Sequence, residues 1–237
     1  MRKKVVFIGN SIVAGYPWSK GKSFVGLARK ALKGEAPPDL NSMLPDQCDT
    51  AADVLAGIDL TQPDYAKSTG FDIVNKGTNG DTTTGIRDRF QADVLDGQPD
   101  HMYILTGTND FIYREATPSE AFANLEEMAE IAESRGIVPV YLTPLHVDAE
   151  KAECMWLAGF GISYPAVNRD VDTFSDLIRE SGRLYVDLST AYDAFANRFD
   201  DIDLAYMDGV HPMPVGHAFL ASEILRFMGE NREALGF

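Results

Sequence analysis

The stretch VVFIGNS, residues 5–11, begins with four consecutive apolar residues and ends in a polar turn that contains a glycine. A short continuous apolar run of this kind is typical of a strand buried on both faces of a parallel sheet. Comparable runs follow at residues 71–74, 102–105, 138–142 and 184–186, separated by longer stretches with helical periodicity. Because parallel strands need crossover connections, this alternation predicts an α/β fold with five parallel strands.

Two helices carry clear start signals. Thr117, Pro118 and Glu120 supply an N-cap, a proline at the first helical position and a capping-box glutamate. Gly136 is placed to end this helix before the fourth strand. The last helix opens in a similar way at Pro214.

The composition is that of a globular chain with an acidic surface. The 237 residues are 45% hydrophobic and carry 21 Lys and Arg against 36 Asp and Glu, a net charge of −15. Such a chain repels phosphate backbones and anionic headgroups, so we expect no nucleic-acid partner and no polybasic membrane contact. No apolar stretch approaches the ~20 residues of a membrane span, so we expect no membrane insertion.

The location is predicted to be cytoplasmic. The apolar run at residues 5–8 is shorter than the roughly 7 to 15 residues of a signal-peptide core. Cys48 and Cys154 are far apart and have no metal-like spacing, which fits a reducing compartment better than a disulfide scaffold.

The chain is interpreted as one domain, residues 1–237, with two insertions. They lie at about residues 34–70 and 147–164 and are longer than the usual connections in such folds. The first follows a helix, so it begins at the end of the sheet opposite the carboxyl ends of the strands. The second follows the fourth strand and lies over the carboxyl ends, where ligands bind in open α/β folds. Its aromatic residues either wall a substrate pocket or only fold the insertion.

Polar and small residues follow the strands at this ligand-binding edge. Ser11 comes directly after the first strand, on a tight turn near a helix N-terminus, where a nucleophile is exposed. An acyl-transfer serine needs a base, and the base needs an orienting carboxylate. Asp208 and His211 are three residues apart, so one turn can bring the carboxylate to one ring nitrogen while the other faces Ser11. An acidic loop before a helix is the alternative for this pair.

A tetrahedral intermediate also needs hydrogen-bond donors for its oxyanion. The backbone N–H groups of Ser11 and Gly77 and the side-chain amide of Asn109 are the candidates, because all three follow strands at the same edge. Taken separately, Gly77 and Asn109 read as ordinary turn residues.

Four short blocks carry these residues: 9–11, 75–80, 107–110 and 208–212. In this order and at these spacings they resemble the SGNH hydrolases, also called the GDSL esterase/lipase family. The resemblance extends from Gly9 to the final helix. It implies a flavodoxin-like three-layer α/β/α sandwich, with Ser11 as nucleophile, His211 as base and Asp208 as its partner. Ser11, Gly77 and Asn109 would form the oxyanion hole, and no cofactor or metal is implied. The chain departs from the family at Asn10, where aspartate is common before the serine.

Several other residues are candidates for substrate contact or for structure. Asn10, Tyr16, Phe111, His146 and Trp156 are predicted to bind substrate, because each lies in or after a block at the active edge. An ordinary loop or core position is the alternative for each. Other residues near these blocks are interpreted as structural: His101, His217, and Asp81, which is expected to cap the helix after the second strand.

The expected function is hydrolysis of a carboxylic ester through an acyl-Ser11 intermediate. A short-chain or acetyl ester, including a carbohydrate O-acetyl ester, is favoured by the acidic surface and the lack of an obvious lipid-binding helix. Two alternatives stay open: a lysophospholipase- or thioesterase-like acylhydrolase, and a ligand-binding protein that has lost turnover. The oligomeric state is not indicated.

Overall fold

The computed structural model describes residues 2–46, 48–156 and 161–237 of the chain. The five apolar runs form five parallel strands: β1 (Arg2–Gly9), β2 (Gly70–Gly77), β3 (His101–Leu105), β4 (Val138–Leu142) and β5 (Tyr185–Val186). Their order across the sheet is β2-β1-β3-β4-β5, which is the flavodoxin-like order. The predicted fold class is confirmed, and β1 and β2 extend beyond their apolar runs.

The α-helices of the described residues lie in the connections between strands, except the last three, which follow β5. They are α1 (Ser11–Ala14), α2 (Phe24–Leu32), α3 (Ala51–Leu55), α4 (Asp64–Ser68), α5 (Thr83–Asp93), α6 (Thr108–Tyr113), α7 (Pro118–Ser134), α8 (Ala149–Met155), α9 (Tyr164–Glu180), α10 (Leu188–Ala196), α11 (Pro214–Glu230) and α12 (Arg232–Leu235). The capping box predicted for α7 is present: the Glu120 side chain accepts from the Thr117 N–H, and the Thr117 side chain accepts from the Glu120 N–H.

Side chains alternate across the sheet and build one apolar core on each face. Val5 and Phe7 of β1 pack in the core that includes α2, α10 and α11. Val6 and Ile8 pack in the core that includes α5, α7 and α9. Burying a side chain of this size contributes roughly 1.5–3 kcal/mol, which explains why β1 is apolar at every one of these positions. The result is the expected three-layer sandwich.

The carboxyl ends of β1, β2 and β3 meet at one place. Gly9 at the end of β1 pairs with Gly77 of β2 on one side and with Leu105 of β3 on the other. The strand order reverses direction beside β1, and such switch points leave a crevice for ligands at the carboxyl ends of the strands.

The two insertions occupy different sides of this arrangement. Residues 34–70 contain α3 and α4, and their apolar side chains join the core that includes α11. Residues 147–164 contain α8, which follows β4; residues 157–160 lie outside the described part of the chain. Among the described helices, none combines the length and the apolar character needed to cross a bilayer.

Candidate active site

Ser11 lies at the start of α1, directly after β1. Asn10 is the N-cap of this helix, and its side-chain oxygen accepts a hydrogen bond from the Ile12 N–H at 3.0 Å. Gly9 allows the turn because a Cβ there would lie 2.2 Å from the Leu105 carbonyl oxygen. The N–H of Ser11 is therefore one of the first N–H groups of a helix, which have no acceptor within the helix.

Ser11, His211 and Asp208 form one chain of hydrogen bonds. Ser11 Oγ is 2.8 Å from His211 Nε2, and His211 Nδ1 is 2.8 Å from Asp208 Oδ2. A carboxylate accepts from Nδ1–H, which leaves Nε2 free to accept the serine proton. All three side chains are buried although they are polar.

The loop before α11 holds Asp208 as a charged acceptor. Burial alone would raise the pKa of Asp208, but hydrogen bonds from the His211 ring and from the N–H groups of Val210 and His211 outweigh it and lower the pKa. The two N–H groups donate to Asp208 Oδ1 at 3.0 and 2.8 Å. A charged Asp208 can stabilise the imidazolium that forms when His211 takes a proton.

A cavity of about 700 Å³ opens onto Ser11 and His211. Most of its wall is aromatic or aliphatic, and Arg114 is the one cationic side chain in the described lining. The lining consists of Ser11, Tyr16, Asn79, Gly80, Asn109, Ile112, Tyr113, Arg114, Trp156, Ile162, Tyr164, Val210 and His211. The site therefore joins a polar reactive end to an apolar wall, which is the usual character of a small-molecule site.

Two predicted substrate-contact residues, Tyr16 and Trp156, lie in this wall. Their ring centres are 4.7 and 6.0 Å from that of His211. Trp156 follows α8, so the second insertion contributes to the cavity wall. Its Nε1–H also donates to the main-chain oxygen of Asp208 at 3.1 Å.

Asn109 and Gly80 both line the cavity near Ser11. Asn109 is in the first turn of α6, and its Nδ2 donates to the Asp81 main-chain oxygen at 2.9 Å, which fixes the amide and leaves its second hydrogen for another acceptor. Gly80 has a φ of 75°, and its N–H has no acceptor among the described residues. Both groups can donate to an oxyanion on a substrate attacked by Ser11.

Gly77 is not in this position, contrary to the sequence prediction. Its N–H donates to Asn75 Oδ1 at 2.9 Å, and it does not line the cavity. A Cβ on Gly77 would lie 2.1 Å from the Ala14 nitrogen, so glycine is needed there to pack β2 against α1. The glycine at the site is Gly80, three residues later in the same block. Its signal in the sequence is the Asn79–Gly80 turn before α5, but the sequence does not rank it above Gly77.

Three further predictions of substrate contact also differ from the structure. The Asn10 side chain is buried and caps α1. Phe111 is buried in the core, with its ring 5.8 Å from that of Phe174. His146 lies between two carboxylates, Asp193 at 2.7 Å and Asp172 at 2.9 Å. None of the three predicted residues lines the cavity.

The two acidic residues beside the blocks have structural partners. Thr82, rather than Asp81, is the N-cap of α5, and Asp81 instead pairs with Arg89. Asp110 is buried and accepts hydrogen bonds from the N–H and hydroxyl of Thr83. Burial raises the pKa of Asp110 more than these bonds lower it.

Comparison with known proteins identifies the family of this chain. Residues 7–219 match the GDSL-like Lipase/Acylhydrolase family. The acetylxylan esterase of Geobacillus stearothermophilus is 26% identical over 173 residues, which cover 68% of this chain and 73% of the esterase. The uncharacterized lipoprotein YqeF of Bacillus subtilis (strain 168) is 40% identical over 83 residues, 33% of this chain and 34% of the lipoprotein.

A solved structure supports the fold over almost the whole chain. The lipase/acylhydrolase of Enterococcus faecalis superposes with a TM-score of 0.66 at 21% identity, covering 97% of this chain and 96% of that one. The fold and the site thus define an ester-hydrolysing enzyme of the SGNH type. The chain belongs to the GDSL-like Lipase/Acylhydrolase family.

Proposed function

We propose that this enzyme is a serine esterase that forms an acyl-Ser11 intermediate. The observation that carries the proposal is the continuous hydrogen-bond chain from Ser11 Oγ through His211 to Asp208, with both links at 2.8 Å. The nucleophile, the base and the orienting carboxylate that acyl transfer to a serine requires are thus already in contact.

In the first step Ser11 Oγ attacks the carbonyl carbon of the ester, and His211 Nε2 takes the serine proton. The negative charge on the carbonyl oxygen is stabilised by the N–H groups of Ser11 and Gly80 and by the Asn109 amide. The bond to the alcohol oxygen then breaks, and the alcohol leaves with the proton from His211. In the second step water attacks the acyl carbon, and His211 takes a proton from it. His211 then gives this proton to Ser11 Oγ as the bond between the acyl carbon and Oγ breaks, which releases the acid and restores the Ser11 hydroxyl.

The proposed substrate is a short-chain or acetyl ester, including an acetyl ester on a carbohydrate. Two observations support it: the similarity to an acetylxylan esterase, and the aromatic side chains of Tyr16, Tyr113 and Trp156 in the cavity wall. Flat aromatic faces beside the nucleophile offer stacking surfaces for a sugar that leaves as the alcohol.

A second candidate is an acylhydrolase for longer chains, as in lysophospholipases and thioesterases. It is favoured by the cavity volume of about 700 Å³ and by the aliphatic side chains of Ile112, Ile162 and Val210 in its lining. A series of p-nitrophenyl esters from C2 to C12 separates the two. A kcat/KM that is highest at C2 to C4 supports the first substrate class, and one that rises to C8 or beyond supports the second.

The mechanism is tested by labelling with a fluorophosphonate and measuring the intact mass, with p-nitrophenyl acetate hydrolysis followed in parallel. We expect one adduct on the wild type, no adduct on Ser11→Ala, and a loss of kcat on the order of 10⁶-fold in the variant. Ser134→Ala is the matched control, since Ser134 is exposed and its hydroxyl donates to the Ile131 carbonyl of its own helix.

The alternative of a binding protein without turnover makes the opposite prediction. In that case the folded wild type gives no adduct and no hydrolysis, although the cavity still takes up a ligand. Either that result or full hydrolysis by Ser11→Ala would overturn the acyl-Ser11 mechanism.

We also propose a cytoplasmic location, supported by two free cysteines of which Cys154 is exposed. The partial similarity to a lipoprotein makes an extracytoplasmic location the alternative. Fractionation of cells that express the full chain distinguishes them, and recovery of the enzyme in the membrane or periplasmic fraction would contradict the proposal.

A further inference from the structure

Arg89 is a partly buried cation on α5 with four hydrogen-bond acceptors. Its guanidinium donates to the main-chain oxygens of Gly9 at 3.1 Å and Lys76 at 2.9 Å. It also donates to the carboxylates of Asp81 at 2.6 Å and Asp93 at 2.5 Å. The side chain is 21% exposed and thus largely withdrawn from solvent. One side chain therefore joins the ends of β1 and β2 to the turn before α5.

These acceptors are next to the oxyanion donors. The Gly9 carbonyl belongs to the peptide immediately before the one that carries the Ser11 N–H. Asp81 follows Gly80, and its own main-chain oxygen accepts from Asn109 Nδ2 at 2.9 Å. Each of the three donors is thus bonded to, or within two residues of, a group that Arg89 holds.

Charge explains only part of the role of Arg89. The charged side chains around it, Lys76, Asp81 and Asp93, sum to −1, and a lysine would neutralise that charge as well as an arginine does. Lys76 and Arg89 supply two positive charges, and Asp81 and Asp93 supply two negative ones; Lys76 Nζ also lies 2.8 Å from Asp93 Oδ1. The particular property of arginine is its planar fork with five donors in fixed directions. A lysine ammonium cannot span acceptors on two strands and a turn at once.

We propose that Arg89, through Asp81 and the Gly9 carbonyl, is the positioning residue that sets the geometry of the oxyanion site. It touches no substrate atom and acts through the Ser11 and Gly80 N–H groups and the Asn109 amide. This inference rests on the proposed function, since it needs an oxyanion at this place.

The test is steady-state kinetics with p-nitrophenyl acetate, with active enzyme counted by fluorophosphonate titration. Because the donors bind the transition state better than the ester, Arg89→Met should lower kcat about 10- to 100-fold and leave KM within about twofold. Arg89→Lys should restore little of it. Arg87→Met is the matched control, because Arg87 lies on the same helix but bonds to Asn124 and Glu127 at the surface, and its kcat should not change.

A double-mutant cycle separates positioning from a general structural role. If Arg89 acts through the oxyanion donors, its loss should cost at least fivefold less in an Asn109→Ala background than in the wild type. Equal costs in both backgrounds, or a wild-type kcat in Arg89→Met, would overturn the proposal while leaving the acyl-Ser11 mechanism intact. If Arg89→Met does not fold, the same cycle is run with Asp81→Asn, which weakens the ion pair but keeps the main-chain acceptor. A wild type with neither adduct nor hydrolysis overturns both proposals.

Discussion

Gly77 and Gly80 are three residues apart and need glycine for different physical reasons. At Gly77 the limit is space, because a Cβ would lie 2.1 Å from a main-chain nitrogen of α1 that cannot move alone. At Gly80 the limit is conformation, because φ is 75° and the nearest atom to a Cβ is the Tyr113 hydroxyl at 3.5 Å. One glycine therefore supports packing, and the other presents an N–H to the cavity.

This difference predicts that alanine at Gly77 mainly lowers stability and that alanine at Gly80 mainly lowers kcat. Gly77→Ala should lower the free energy of unfolding by several kcal/mol, since β2 and α1 must separate. Gly80→Ala should cost only about 1–2 kcal/mol of left-handed strain but lower kcat about 10- to 100-fold as the N–H turns away. Urea unfolding and p-nitrophenyl acetate kinetics measure the two quantities. A Gly80→Ala variant with wild-type kcat would remove Gly80 from the oxyanion site.

At the residue scale, the sequence predicts which blocks lie at the site. It predicts less reliably which residue within a block contacts the cavity. Asn10 and Phe111 are next to Ser11 and near Asn109 in sequence, yet one side chain caps α1 and the other enters the core. Successive residues of a turn or helix point in different directions, and only the backbone path decides which of them meets the cavity. The His146 ring pairs with two carboxylates, one on α9 and one on α10. The sequence around His146 does not predict these partners, because both are distant along the chain.

At the scale of elements, both tryptophans of the chain donate hydrogen bonds to the segment that carries Asp208 and His211. Trp156 donates its indole N–H to the Asp208 carbonyl at 3.1 Å, and Trp18 donates its own to the Pro212 carbonyl at 3.2 Å. α8 adds a second restraint, because the Asp148 N–H before it donates to the Gly209 carbonyl at 2.8 Å. The second insertion thus both contributes to the cavity wall and restrains the loop that carries Asp208 and His211.

We therefore expect Trp156→Phe and Trp156→Ala to differ in kind. The phenyl ring keeps most of the wall but loses the hydrogen bond, so kcat should fall about 3- to 10-fold with little change in KM. Trp156→Ala also removes the wall, so KM for an aryl ester should rise severalfold in addition. Trp18→Phe is the matched comparison, since Trp18 holds the same segment from outside the described lining, and it should lower kcat without raising KM. Equal KM values for all three variants would contradict a wall role for Trp156.

The position of the second insertion can be predicted from the sequence, but its contacts cannot. Its position after β4 places it at the ligand-binding edge, so a contribution to the cavity is predictable from topology. The contact of α8 with the loop before α11 cannot be predicted in this way. It depends on a close approach at Gly209, where a Cβ would lie 2.3 Å from the Ala152 nitrogen. The sequence shows a glycine there but not the helix it meets.

At the scale of the whole molecule, the fold follows from the alternation of apolar runs and helical stretches along the chain. Five apolar runs separated by helical stretches leave few arrangements once crossovers are right-handed and both faces must be covered. β5 is only two residues long, Tyr185–Val186, and it pairs with Tyr141 and Leu142 of β4. Such a short edge strand is defined by its neighbour rather than by its own sequence, which explains why its predicted range is one residue longer.

The buried His217 joins two helices of the same outer layer, and its burial makes the stability of the fold depend on pH. It lies on α11, it is fully buried, and its Nδ1 accepts from the Phe24 N–H of α2 at 3.3 Å. Burial lowers the pKa of His217 to about 3, so the folded protein keeps this ring neutral while the unfolded chain protonates it below about pH 6.5.

The unfolded state thus binds one more proton than the folded state between about pH 6.5 and 3, and stability must fall as the pH falls through this window. The slope from this group is up to about 1.4 kcal/mol per pH unit. His217→Asn, whose amide oxygen can still accept from Phe24, should remove that slope in urea unfolding between pH 6.5 and 4.

His146→Asn supplies a control of opposite sign. The hydrogen bonds that the His146 ring donates to Asp193, and more weakly to Asp172, raise the pKa of His146, so its stabilisation is complete below pH 6.5 and disappears as the pH rises through the raised value. An unchanged slope in His217→Asn would show that the ring is not kept neutral by burial.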